Sequence, residues 1–289
     1  LGQDRVVVVT GAGRGIGRAH ALAFAAEGAS VVVNDVEEDV TADVVAEIEA
    51  LGGKAVATTA DVADWAGAKA LIDTAVAHFG RLDVLVNNAG FVRDRMLVNL
   101  AEDEWDAVVR VHLKGHFAPL RHAAGHWRAE AKAGRTPSAR VINTSSGAGL
   151  LGSVGQVNYS AAKAGIVGLT VVAAAELARY GVTVNAIAPA ARTRMTEAVF
   201  ASMARPDTGF DAMAPENVSP LVVWLGSAES GHVTGRVFEV EGGKVSLAQG
   251  WRPGPAVDKG ERWDPAELGP AVQELLERAP GPEPVYGAS

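Results

Sequence analysis

Apolar residues follow two rhythms along this chain. Short β-branched runs such as Val6-Val7-Val8-Val9 and Val31-Val32-Val33 alternate with longer stretches in which apolar positions recur every three to four residues. Unbroken short runs mark strands covered on both faces, and the longer amphipathic stretches mark helices packed over them. The pattern predicts strands over 5–10, 30–35, 54–59, 82–87, 139–145, 182–188 and 236–240. Helices are predicted over 15–27, 38–51, 64–79, 102–133, 157–180 and 216–226. Regular alternation of strand and helix implies right-handed crossovers, and so an α/β domain with a seven-stranded parallel sheet and helices on both faces. That domain is expected to span 1–247. From 248 to 289 the composition shifts to Pro, Gly and charge, which predicts an extension packing on the surface with one short helix near 270–278.

Composition narrows the function. Of 289 residues 48% are hydrophobic and 21% charged, enough for one full-sized core. The absence of cysteine removes thiol nucleophiles and Cys-ligated zinc and suits a reducing compartment. No metal site is expected. A net charge of −8 opposes nucleic-acid binding, which needs clustered Lys and Arg. No run of about eighteen uncharged apolar residues occurs, so no membrane-spanning segment or membrane partner is expected. The first residues lead straight into a strand without a basic leader, and a cytoplasmic location is expected. Since the chain starts at Leu1, a short upstream segment is expected to be missing from it.

The first strand runs into Thr10-Gly11-Ala12-Gly13-Arg14-Gly15-Ile16-Gly17 and then a helix. Glycines there let the chain turn tightly and bring backbone N–H groups against a pyrophosphate at a helix N-terminus. The same glycines would serve any tight strand-to-helix turn, so the setting matters. Asp35, eighteen residues beyond Gly17, ends the second strand. A carboxylate there accepts hydrogen bonds from the ribose hydroxyls of NAD and repels the 2′-phosphate of NADP. Asp35 could also cap the following helix. Arg14 points the other way, because a cation in the turn suits a 2′-phosphate. Asp35 lies where the adenosine ribose is expected, and NAD is the expected cofactor.

Tyr159 and Lys163 stand four apart at the start of a predicted helix and share one face. A phenol loses its proton near pH 10, and a neighbouring ammonium lowers that value toward the range useful for acid–base work. Such pairs are common on helices. Ser146, thirteen residues upstream at a predicted strand end, can aim its hydroxyl at the same bound oxygen.

Taken together, Thr10–Gly17, Asn87-Asn88-Ala89-Gly90, Ser146 and Tyr159-x-x-x-Lys163 resemble, in order and spacing, the short-chain dehydrogenase/reductase family. The resemblance covers about 5–243 and implies a Rossmann-type sheet of order 3-2-1-4-5-6-7. It further implies that Ser146 orients the substrate oxygen, Tyr159 exchanges its proton, and Lys163 binds the nicotinamide ribose and tunes Tyr159. Cofactor contacts carried over by the resemblance are Gly11, Arg14, Gly15, Ile16, Gly17, Asp35, Asp61, Val62, Asn88, Ala89, Gly90, Pro189 and Thr193, with Asn87 holding the fourth strand. One position departs. Where most members carry an Asn that acts largely through its backbone carbonyl, this chain has His112, which keeps the carbonyl.

A narrower similarity lies in Val92-Arg93-Asp94-Arg95, Arg110-Val111-His112-Leu113-Lys114-Gly115 and Pro220-Leu221-Val222-Val223-Trp224-Leu225. These resemble the (3R)-hydroxyacyl-CoA dehydrogenase part of the peroxisomal multifunctional β-oxidation enzyme, also named 17β-hydroxysteroid dehydrogenase type 4. The substrate class this implies is an acyl-CoA or a steroid alcohol. A 3-oxoacyl carrier-protein reductase is disfavoured by Asp35, and a catalytically silent dinucleotide-binding protein by the intact Ser146, Tyr159 and Lys163. The segment 190–215 is expected to form a closing lid, with Arg192 and Arg194, or Arg93 and Arg95, as candidate partners for CoA phosphates. A homodimer or homotetramer is expected, packed through the small, apolar faces of helices 102–133 and 157–180.

Overall fold

The computed structural model describes residues 1–193, 206, 208–281, 283 and 285. Among the described residues eight strands form one sheet in the order β3-β2-β1-β4-β5-β6-β7-β8. They are β1 (Val6–Thr10), β2 (Ser30–Asn34), β3 (Lys54–Thr58), β4 (Val84–Asn87), β5 (Ala139–Thr144), β6 (Val182–Ala190), β7 (Val237–Glu241) and β8 (Lys244–Leu247). The first seven are parallel, in the expected order. The eighth corrects the expected seven-stranded sheet: β8 returns antiparallel to β7 after a turn at Gly242-Gly243, pairing Glu241 with Lys244. Its four residues sit at the sheet edge, and Val245 and Leu247 are exposed. An edge strand this short lacks the apolar signal of a buried one.

Alternate residues of the central strands feed two cores. Val7, Val9, Val31, Val33, Val84 and Val86 pack with Phe24, Ile48 and Leu225 on one face. Val6, Val8, Val32, Leu85 and Val141 pack with Leu71, Leu120 and Trp127 on the other. The first face is covered by α1 (Gly15–Ala26), α2 (Glu38–Ala50) and α8 (Ser219–Gly226). Opposite lie α3 (Trp65–Phe79), α5 (Gly115–Lys132) and α7 (Val157–Leu177). A period of two along each strand thus becomes a three-layer domain.

Three further differences concern helices. The single helix expected over 102–133 is α4 (Glu102–Val109), a π-helical turn over Arg110–Lys114, and then α5. A short helix, α6 (Gly147–Leu151), follows β5 and was not legible in five small or apolar residues. The segment Val157–Tyr180, expected not to be a membrane-span candidate, is long and apolar enough to cross a membrane by length and composition. A run free of all charge is a stricter test than a mean that tolerates Lys163. In this fold the segment packs against β6. The tail contains α9 (Leu268–Arg278), an amphipathic helix with no buried residue.

Candidate active site

The C-terminal ends of β1 and β4 are neighbours, and from them the chain departs to opposite faces of the sheet. Ligands of open α/β sheets bind in the crevice that such a switch point creates. At the end of β1, Gly11 takes φ +61°, and a Cβ there would lie 2.8 Å from Ala89 Cα. Gly17 allows the closest approach, since its Cβ would fall 2.1 Å from the Gly11 carbonyl oxygen. Thr10 joins the two strands: its Oγ1 accepts hydrogen bonds from the N–H groups of Asn88 at 2.9 Å and Ala89 at 3.1 Å. Asn88 Nδ2 donates back to the carbonyls of Thr10 and Gly11.

Helix α1 begins at this turn with no side-chain cap and no acid in its first turn. Its first N–H groups therefore face the crevice as donors at the positive end of a twelve-residue helix. That is what a pyrophosphate needs. Gly15 lies opposite the Thr193 methyl, and Ile16 packs against the core, which anchors the turn. Asp35, just beyond β2, accepts from Gly13 N–H at 3.2 Å through Oδ2, so its carboxylate borders the turn. These residues fit a dinucleotide.

Arg14 is engaged elsewhere. Its two terminal nitrogens donate to the two oxygens of Glu37 at 2.6 and 2.7 Å. Asp61 is likewise held by the protein, accepting from Arg110 at 2.6 Å and from Ala63 N–H at 2.8 Å. Beside it Val62 is buried, touching the α5 start at Gly115. Pro189 sits within β6 opposite Val240.

The candidate reacting groups gather at the end of β5. Lys163 is buried on α7, and its Nζ donates to the Thr144 carbonyl at 2.6 Å. Burial lowers its pKa from the ordinary lysine value to about 7. Ser145 Oγ donates to the Lys163 carbonyl at 2.9 Å, tying the strand end to the same turn of helix. The next residue, Ser146, caps α6 and accepts from Ala148 N–H at 3.2 Å. Helix α6 packs directly on α7, for a Cβ on Gly149 would lie 2.6 Å from Lys163 Cβ. Lys163 Nζ is 5.5 Å from the centre of the Tyr159 ring. His112 meets that ring edge-on, with centroids 5.1 Å apart.

The structure thus brings Ser146, Tyr159, Lys163 and His112 together. His112 does more than keep a carbonyl: its ring is fully buried, and Nε2 lies 2.6 Å from the Phe91 carbonyl oxygen. Burial lowers its pKa to about 3, so the imidazole is neutral. The ring rests on Gly90, where a Cβ would fall 2.1 Å from Cε1.

Beneath them lies a polar layer that sequence reasoning missed apart from Asn87. Asn87 Nδ2 donates to Asn143 Oδ1 at 3.0 Å, and Asn143 Nδ2 to Thr170 Oγ1 at 2.9 Å. His116 Nε2 accepts from Thr144 N–H at 3.3 Å. No spacing rule links these residues, although polar side chains inside apolar strands were a usable signal. Glu37 was missed too; a second acid two residues after Asp35 was its signal.

Of the arginines considered for a CoA phosphate, Arg192 is paired with Asp211 at 2.9 Å and Arg95 with Glu104 at 3.3 Å. Arg93 stacks over the Phe91 ring. Arg194 and half of the expected lid lie outside the described residues.

The model of the short chain dehydrogenase family matches residues 5–204. The chain is a short-chain dehydrogenase. It is therefore an oxidoreductase of a family that uses nicotinamide dinucleotides, in agreement with the turn, the crevice and the Ser146–Tyr159–Lys163 cluster. This dehydrogenase is 47% identical over 285 residues to the hydroxyacyl-CoA dehydrogenase ChsB1 of Mycobacterium tuberculosis, covering 94% of this chain and 88% of that protein. It is 46% identical over 250 residues to the mouse peroxisomal multifunctional enzyme type 2, covering 83% of this chain but 32% of that enzyme. Among solved structures, the crystal structure of a short chain dehydrogenase from Mycobacterium avium is 65% identical, with a TM-score of 0.92 and 99% of each chain covered.

Proposed function

We propose that this short-chain dehydrogenase is an NAD-dependent (3R)-3-hydroxyacyl-CoA dehydrogenase, interconverting the 3-hydroxyl and the 3-ketone of an acyl-CoA. Its similarity along almost its whole length to a hydroxyacyl-CoA dehydrogenase carries the substrate class. In the reduction, the Ser146 hydroxyl donates a hydrogen bond to the substrate oxygen and Tyr159 transfers its proton to it. A bound dinucleotide would supply the hydride that the carbonyl carbon accepts. Lys163 holds positive charge beside Tyr159 and stabilises the phenolate left behind. In the oxidation the same phenolate takes the hydroxyl proton. Asp35 supports NAD, since a 2′-phosphate would bring like charge onto its carboxylate.

The loop 92–98 and the turn 152–156 meet at the paired residues Arg95 and Gln156, close in sequence to Tyr159. They carry exposed Leu97, Val98 and Val154, an apolar rim suited to an acyl chain or an equally apolar steroid. Exposed Phe117, Val171 and Val172 on α5 and α7 support a homo-oligomer built through these helices. The expected cytoplasmic location belongs to the same proposal.

The deciding assay follows NADH oxidation with acetoacetyl-CoA beside a 17-ketosteroid. Turnover with the thioester and little with the steroid is expected. Faster turnover of the steroid would transfer the assignment to a hydroxysteroid dehydrogenase, and none with either would remove both.

A further inference from the structure

Arg14 is the sole cation in the turn 11–17, and by position it is a partner for a 2′-phosphate. Its guanidinium is instead clamped by both oxygens of Glu37, in the parallel two-bond geometry that fixes an arginine most firmly. The hydrogen bond and charge of Glu37, with a smaller contribution from Asp35, hold Arg14 above the usual guanidinium pKa. The next cation along α1 is also paired, through one nitrogen, since Arg18 Nη2 donates to both oxygens of Glu47 at 2.7 and 2.6 Å. Helix α2 and the residue before it thus present one acid to each arginine at the start of α1. Asp35 adds a third carboxylate, turned onto the glycine turn itself.

We propose that Glu37 is a specificity-determining latch: by holding Arg14 it withholds the turn's cation from an adenosine 2′-phosphate and leaves Asp35 to set the choice of NAD. The proposal rests on the reading that the adenosine ribose binds beside Asp35. With Glu37 in place, Arg14, Glu37 and Asp35 sum to one negative charge at that point. With glutamine at 37 the sum is zero, and the guanidinium is released to a stronger anion than the amide it would leave. Both side chains are substantially exposed, so neither substitution opens the core.

The test measures binding rather than turnover. The full chain, Glu37→Gln, Arg14→Ala and the double variant are titrated with NADPH and with NADH, following tryptophan quenching at one low ionic strength. Glu37→Gln is expected to tighten NADPH at least about tenfold, the scale of one charge-assisted hydrogen bond, while changing NADH less than about threefold. Arg14→Ala should abolish that gain in the double variant. An unchanged NADPH affinity in Glu37→Gln would overturn the latch. So would a gain that persists without Arg14, because Glu37 would then act by its own charge. Equal wild-type affinities for the two cofactors would refute the NAD preference alone, since the latch stands or falls on the four-variant cycle.

Discussion

Burial takes Lys163 out of water with a 2.6 Å hydrogen bond to the Thr144 carbonyl and brings its pKa down to about 7. An amine that titrates near neutrality answers readily to what stands beside it, and Tyr159 stands beside it. On the proposed reading the phenol exchanges a proton with the bound oxygen, whereas the lysine nitrogen is turned into the protein. Tyr159→Phe should therefore lower kcat at least about a hundredfold, the scale of a general acid, and leave the NADH dissociation constant nearly unchanged. Stopped-flow turnover and a fluorescence titration read the two quantities. Near-normal turnover would remove Tyr159 from the chemistry.

The π-helical turn over Arg110–Lys114 decides what the long helical region presents to the site. A wider turn shifts the helical phase, and such turns recur at functional sites. His112 and His116, one turn apart, are both buried, His112 against Gly90 and Phe91 beyond β4 and His116 against Asn87 of β4 and Thr144 of β5. The His112 ring lies where a side chain on Gly90 would have to be, and with no exposed surface it has nowhere to retreat. Gly90→Ala should thus cost ~1–3 kcal/mol through overpacking. In the His112→Asn background the cost should fall below about half of that, because the clashing Cε1 is gone and residues in contact couple. Urea unfolding of the four variants measures this. An equal cost in both backgrounds would show that Gly90 is required for another reason.

Across the whole molecule, buried histidines tie stability to pH. His20, His112 and His116 are buried and neutral, their pKa values lowered by desolvation. His20 lies on α1 and faces α8, with Nδ1 2.9 Å from Ser219 Oγ. Its pKa is about 3 when folded and 6.5 by reference. Between those values the unfolded chain binds a proton that the folded one does not, so stability is full above 6.5 and is lost as pH falls toward 3. Going from pH 7.5 to 5.5, this single group should cost about 1.4 kcal/mol. His20→Asn should reduce the measured loss over that interval by about that amount. The same pH dependence in both proteins would mean that His20 is already charged or solvated.

The apolar pattern determined seven of the eight strands and most of the helices, and the family resemblance supplied the strand order. Buried β-branched runs and amphipathic periods are local properties, and any window of the chain displays them. Ser146, Tyr159 and Lys163 were legible as candidates for a related reason: one helical turn separates the last two, and the first lies just beyond the end of β5. Only the tertiary structure decided the rest. Strand β8 exists because β7 offers it an edge, not because Lys244–Leu247 is strongly apolar. The grip of Glu37 on Arg14 spans twenty-three residues, that of His112 on Phe91 twenty-one, and the bond from Asn87 to Asn143 fifty-six. Pairings across such separations are set by which strand ends the fold makes neighbours, and no spacing within the sequence encodes that choice.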